Sequence, residues 1–208
     1  TVDGTQDISG LSFEQGTVTI SGGTALRLVV ATTPVIVGSG LTATINTPIT
    51  EDVAGRALAK YGSGTLVLSG ANAYTGATAV VDGTLRLGAD NVLPDASNVT
   101  VSGGTAGGTA TLDLDGKSDA IGGLTLGGAT TTSAAAVTTG AGTLTLGGDV
   151  AYSNAQNPLG ATISGKLAPE TARLEASLKE QGVGMLLVNA PPGQKAEEIE
   201  QFIADHKL

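Results

Sequence analysis

A glycine-opened segment in which leucine alternates with another residue returns along this chain at nearly even spacing, and that return constrains the fold more than any other feature. Its fullest copies are Gly64-Thr65-Leu66-Val67-Leu68, Gly83-Thr84-Leu85-Arg86-Leu87 and Gly142-Thr143-Leu144-Thr145-Leu146. Looser copies add anchors at Leu26, Ile45, Leu124 and Ile163, so successive anchors stand 19, 21, 19, 39, 20 and 19 residues apart. The long interval is about twice the others and is read as one irregular turn near Gly104. A period of about 20 residues built on short strands is the signature of one coil of a parallel β-helix, in which each coil stacks on the last at the interstrand distance.

Side chains alternate along a strand, so Leu66 and Leu68 point one way while Thr65, Val67 and Ser69 point the other. The leucines are assigned to the interior. The flanking glycines and pairs such as Asp82-Gly83 mark corners, where the chain turns sharply and positive φ costs glycine least. A β-sandwich also has regularly spaced strands. Even spacing favours the helix, because its coils must keep inward residues in register whereas sandwich loops vary in length.

Composition agrees. The chain has 32 glycines among 208 residues and only 2% aromatics, which suits short strands and tight turns and argues against an aromatic-lined ligand cavity. It has no cysteine, so disulfides, thiolate nucleophiles and cysteine zinc sites are excluded; stacked repeats do without such staples. A net charge of −9 and no Lys/Arg run oppose binding to a nucleic-acid backbone. The chain shows neither an apolar run long enough for a membrane span nor a basic-plus-apolar leader, and beginning at Thr1 it reads as an excised fragment.

Few residues invite a chemical reading. Asp113 and Asp115 lie two apart on one strand with Asp119 close behind, a pattern that paired-carboxylate hydrolysis or calcium binding would use, and solvated surface is the expected role. His206 is the only histidine, which leaves no histidine cluster and no histidine base for a nucleophile in the repeats. Tyr61, Tyr74 and Tyr152 are read as corner packing rather than sugar-stacking platforms. No catalytic residue, metal ligand or cofactor is assigned, and an enzyme is not expected.

The run Gly62-Ser63-Gly64-Thr65-Leu66-Val67-Leu68-Ser69-Gly70-Ala71-Asn72-Ala73-Tyr74-Thr75-Gly76-Ala77-Thr78, continued by Val81-Asp82-Gly83-Thr84-Leu85-Arg86-Leu87-Gly88, resembles the passenger-associated transport repeat of bacterial autotransporters. Similar texture extends from Ile8 to Gly165. The resemblance implies a right-handed, single-stranded parallel β-helix exported through the outer membrane of a Gram-negative bacterium to its surface or beyond. It also implies that the repeat aids secretion, with an outer-membrane translocator barrel, missing from this chain, as partner. Gly64, Thr65, Leu66, Leu68, Gly70, Asn72, Tyr74, Thr75, Gly76, Gly83, Thr84, Leu85, Leu87 and Gly88 carry the motif. The expected function is that of a structural stem. The alternative is an adhesin that meets a host or matrix ligand through the solenoid face or the tail; a polysaccharide-degrading helix would need carboxylates converging from adjacent coils.

After Gly165 the composition changes, with three glycines in the last 43 residues and denser charge. Residues 1–165 are therefore taken as the β-helix and 166–208 as a small αβ module. In that module Pro169 and Glu170 open a helix that carries Leu174 and Leu178 and is closed by Gly182, Met185 to Val188 form a strand, and Lys195 to Lys207 form a second helix with Ile199, Phe202 and Ile203 on one face. It is read as a cap over the open end or as a fused unit.

Overall fold

The computed structural model describes residues 1–103, 108–127 and 134–153, and beyond these the backbone of two further strands, Ala161–Leu167 and Val188–Asn189. The first coil consists of β1 (Thr5–Ile8), β2 (Leu11–Phe13) and β3 (Val18–Ile20), and the second of β4 (Ala25–Leu28), β5 (Thr32–Val37) and β6 (Thr42–Ile45). The third holds β7 (Ile49–Glu51), β8 (Ala57–Tyr61) and β9 (Thr65–Leu68). Then follow β10 (Thr78–Val80), β11 (Gly83–Leu87), β12 (Val99–Val101), β13 (Thr109–Asp113), β14 (Asp119–Ile121), β15 (Leu124–Gly127), β16 (Ala134–Leu146), β17 (Val150–Ser153), β18 (Ala161–Leu167) and β19 (Val188–Asn189).

Among the described residues every strand pairing is parallel and joins equivalent strands one coil apart, so they form a three-faced parallel β-solenoid. The first face stacks β1, β4 and β7; the second stacks seven strands from β2 to β17; the third runs from β3 through β9, β11 and β13 to β19. After β7 the first face continues as irregular backbone. Ala73 N–H donates to the Ile49 carbonyl at 2.8 Å, Asn72 N–H to that of Val92 at 3.3 Å and Asn91 N–H to that of Ser118 at 3.0 Å. It becomes a strand again at β14, which pairs with the second half of β16, while the first half of β16 pairs with β13 around the corner. No helix occurs among the described residues.

Register corrects the expected period. Leu66 pairs with Leu85, 19 positions on, but Leu85 pairs with Leu112, 27 positions on, and Leu112 with Val137, 25 positions on. Most coils are thus longer than about 20 residues, and the shortest step, 19 positions, lies in the Gly62–Gly88 run. The anchors also belong to different faces. Leu26 lies on the first face, Ile45, Leu66 and Leu85 on the third, Leu124 on the second and Leu144 on the first, so Leu144 does not extend the column of Leu66 and Leu85. Leu112 does, in the interval where no anchor was recognised.

The core is the stack of inward side chains from the three faces. Leu28, Val35, Leu66, Leu68, Leu85, Leu87, Val99 and Leu112 are wholly buried, each removal from water contributing about 1.5–3 kcal/mol. Among the described residues one buried side chain carries an unpaired polar atom. Thr33, in register with Leu58, is fully buried and its hydroxyl has no hydrogen-bond partner. Thr33→Val keeps the branched shape and removes an unpaired polar group, so it is expected to raise the unfolding free energy by about 1 kcal/mol in urea titrations. A loss of stability would show that the hydroxyl is satisfied in solution.

Both expected tail helices lie outside the described residues. Of the strand expected over Met185 to Val188, Val188 forms β19 with Asn189 and pairs with β18, extending the third face.

Candidate functional site

The motif residues are distributed through one coil and its joints. Thr65 pairs with Thr84, Leu66 with Leu85, Val67 with Arg86 and Leu68 with Leu87, which puts four leucines inward and the two threonines half-buried on the outer side. Between these strands the chain crosses the first face without a strand of its own. Asn72 takes over the ladder there: its Oδ1 accepts the Ile49 N–H at 2.8 Å and its Nδ2 donates to the Val92 carbonyl at 3.0 Å, tying the coil to both neighbours.

Tyr74 is wholly buried, and its hydroxyl shares a 2.6 Å hydrogen bond with Thr78 Oγ1. Burial pushes its phenol well above the ordinary range. The Thr75 hydroxyl donates to Glu51 Oε1 and accepts the Gly55 N–H, each at 2.8 Å. The motif glycines lie where the preceding coil approaches. A Cβ on Gly64 would collide with the Gly38 carbonyl and one on Gly76 with that of Arg56, one on Gly70 would lie 2.8 Å from Pro48 N, and one on Gly88 would meet the Ser69 side chain. Gly83 adds a left-handed φ of 68°.

The three aspartates do not converge. Asp113 faces outward, receiving Arg86 Nε at 2.8 Å and the Thr138 hydroxyl at 3.0 Å. Asp115 is exposed on a turn with φ 49°. Asp119 points inward on another face, 3% exposed, where its oxygens accept the N–H groups of Val92 (2.9 Å), Leu93 (3.0 Å) and Ala120 (2.8 Å). Desolvation raises its pKa, against the lowering effect of those three donors. It acts as a backbone clamp rather than as part of a carboxylate pair. Tyr61 is exposed, contrary to its reading as corner packing, and His206 lies outside the described residues.

Lys60 was not anticipated. It occupies an inward position of β8, 1% exposed, and Nζ donates to the carbonyls of Tyr61 (3.0 Å), Gly62 (2.5 Å) and Asp82 (2.9 Å). Three acceptors match the three donors of an ammonium group, so the charge is seated at a corner and links two coils. Its inward phase after Leu58 was the available signal. Burial lowers its pKa from 10.5 to about 8.

Between those values the unfolded chain holds the proton that the folded chain has released, so stability rises with pH from about 8 towards 10.5. From pH 7 to 9.5 the expected gain is about 2 kcal/mol, at 1.36 kcal/mol per unit above the folded pKa. That range stays below the ionisation of an unfolded tyrosine, whose raised folded value would act in the opposite direction. Thermal melts across it, alongside Lys60→Met, check the effect: the slope should flatten in the variant.

With this geometry in place, comparison with known proteins gives two partial matches. The description "Passenger-associated-transport-repeat" matches residues 58–87, the short coil just described, and residues 137–165. The curated relative "Adhesin BmaC autotransporter" of Brucella suis biovar 1 (strain 1330) is 42% identical over 79 residues, covering 38% of this chain. That match spans only 2% of the relative's length. No solved structure matches the chain. The chain thus carries two passenger-associated transport repeats on a parallel solenoid and is similar over part of its length to an autotransporter adhesin. Autotransporter passengers with such repeats are exported through the outer membrane of Gram-negative bacteria and are secreted or displayed at the surface.

Proposed function

We propose that this segment is a structural stem of its passenger, and that the repeat promotes secretion by folding vectorially as successive coils leave the membrane. The observation that supports the reading most is the short coil at residues 58–87, where Asn72, Lys60 and the close-approach glycines join neighbouring coils through backbone contacts. Each coil that stacks buries apolar surface and makes return through the pore unfavourable. The motif residues from Gly64 to Gly88 are its working parts, and their work is conformational. The stem is not an enzyme. The proposed partner is the translocator barrel of the whole protein, and residues 166–208 are proposed as a cap or fused module whose Val188–Asn189 continues the third face.

The test is made in the whole protein with its barrel. Gly76→Val and Asn72→Ala should lower passenger at the cell surface several-fold and increase the periplasmic or degraded fraction. Unchanged surface display would exclude a role for the repeat in secretion. The relative's name supports a second reading, an adhesin that contacts a host or matrix ligand through the solenoid face or the tail. Variants that keep full display but lose attachment to host cells or matrix would favour it.

A further inference from the structure

The three faces are unequally joined where the fourth coil (residues 70–77, β10 and β11) meets the fifth (residues 88–97, β12 and β13). On the second face β10 pairs with β12 from Thr78 and Val99 to Val80 and Val101, and on the third β11 pairs with β13 from Gly83 and Ala110 to Arg86 and Asp113. On the first face neither coil has a strand. Among the described residues, the hydrogen bonds that cross that face run from Asn72 N–H to the Val92 carbonyl at 3.3 Å, from Asn72 Nδ2 to the same carbonyl at 3.0 Å, and from the Ser97 hydroxyl to the Gly76 carbonyl at 2.6 Å. The first of these, the one backbone-to-backbone bond, lies beyond the usual N–H···O range of about 2.7–3.2 Å.

The junctions on either side are firmer. Between the third and fourth coils Ala73 N–H reaches the Ile49 carbonyl at 2.8 Å and Gly76 N–H that of Arg56 at 3.1 Å, while the Thr75 hydroxyl bridges Glu51 and the Gly55 N–H. The sixth coil begins at β14. Between it and the fifth, Asn91 N–H reaches the Ser118 carbonyl at 3.0 Å, Gly122 N–H that of Ser97 at 2.9 Å and Ser118 N–H the Asp90 carboxylate at 2.7 Å, and Asp119 holds the N–H groups of Val92 and Leu93.

We propose that this seam is a hinge: the first face opens between the fourth and fifth coils, the solenoid bends about its intact second and third faces, and Asn72 with Ser97 is the latch. The reason is unequal restraint. Two coils joined by a continuous ladder part only when several backbone bonds are lost together, whereas here the first face parts when two residues let go. The segments that separate stay attached to their outer neighbours, residues 70–77 through Thr75 and Ala73 and residues 88–97 through Asp119 and Asn91. Apolar burial limits the motion. Tyr74, Val92 and Leu93 belong to the two parting segments and are buried, so wide opening would bring them to water and the closed form dominates. The hinge belongs to the coils themselves and holds whether the segment serves as a stem or as an adhesin.

Because the chain has no cysteine, spin labels can be placed on introduced pairs. Thr50→Cys with Ala120→Cys sets labels on the outer side of the first face, three coils or about 14 Å apart along the axis, and Val67→Cys with Thr138→Cys does the same on the third. Distance measurements on the 208-residue chain should give a broader first-face distribution with a longer-distance population, and a narrow third-face one. Ser97→Ala and Asn72→Ala should each enlarge that population about fivefold, the change expected from losing a hydrogen bond of ordinary net strength. Thr75→Val, which loosens only the junction of the third and fourth coils, should leave it unchanged. Equal widths on the two faces of the otherwise wild-type chain overturn the proposal, and that comparison needs no latch variant to fold. An effect of Thr75→Val as large as that of Ser97→Ala also overturns it, since the motion would then not reside at this seam.

Discussion

Replacing Gly83 by alanine is expected to lower the unfolding free energy by about 3 kcal/mol or more, while the same change at Gly40 costs only about 1 kcal/mol. Both residues adopt a left-handed φ, 68° and 71°, so both variants carry the conformational penalty. They differ in what surrounds the new methyl. Around Gly40 nothing lies within 4 Å, whereas a Cβ on Gly83 would lie 2.5 Å from the Gly64 carbonyl oxygen and within reach of that of Gly62, both backbone atoms of the preceding coil. Relief requires the coils to separate, which also disturbs the Lys60 seat at Gly62 and Asp82. Urea titration of both variants measures the difference; equal losses would show that coil spacing is soft and that backbone conformation alone selects glycine here.

The second large effect is expected at Tyr74. Tyr74→Ala should cost about 3–5 kcal/mol, the range for deleting a buried ring, and Tyr74→Phe about 1–2 kcal/mol, because Thr78 Oγ1 then loses its partner in a buried site. The ring fills the corner beside irregular backbone, where the first face has no strand between β7 and β14 to supply alternating inward side chains. A loss below about 1 kcal/mol for the alanine variant, read by thermal melts, would mean that neighbouring leucines close the space.

The parallel solenoid and the inward leucines of the motif were legible in the sequence because alternation and corner glycines are local signals. Coil length was not, for an identifiable reason. Leu26-Arg27-Leu28, Leu66-Val67-Leu68 and Leu124-Thr125-Leu126 are the same text on three different faces, since every face buries alternate residues. Counting between like segments therefore measures steps between faces as well as whole coils. Leu112 was passed over because Ala110 stands in the register position of Gly83, so no glycine directly precedes its Thr111-Leu112 pair. Lys60 and Asp119 were hidden by residue type, as a charged side chain reads as surface unless the phase of its strand is followed. The clamp at Asn72 joins positions 20 or more residues apart and leaves no local trace.

Because every ladder hydrogen bond joins one coil to the next, the bonds lie along the solenoid axis. A load pulling on the two ends of such a rod meets these bonds one coil at a time, as in peeling tape, instead of shearing a whole sheet at once. Each coil of about 24 residues that lets go would free roughly 80 Å of chain at about 3.4 Å per residue. A solenoid built this way would lengthen stepwise under tension while the coils still stacked keep their shape, and would recoil by restacking when the load falls.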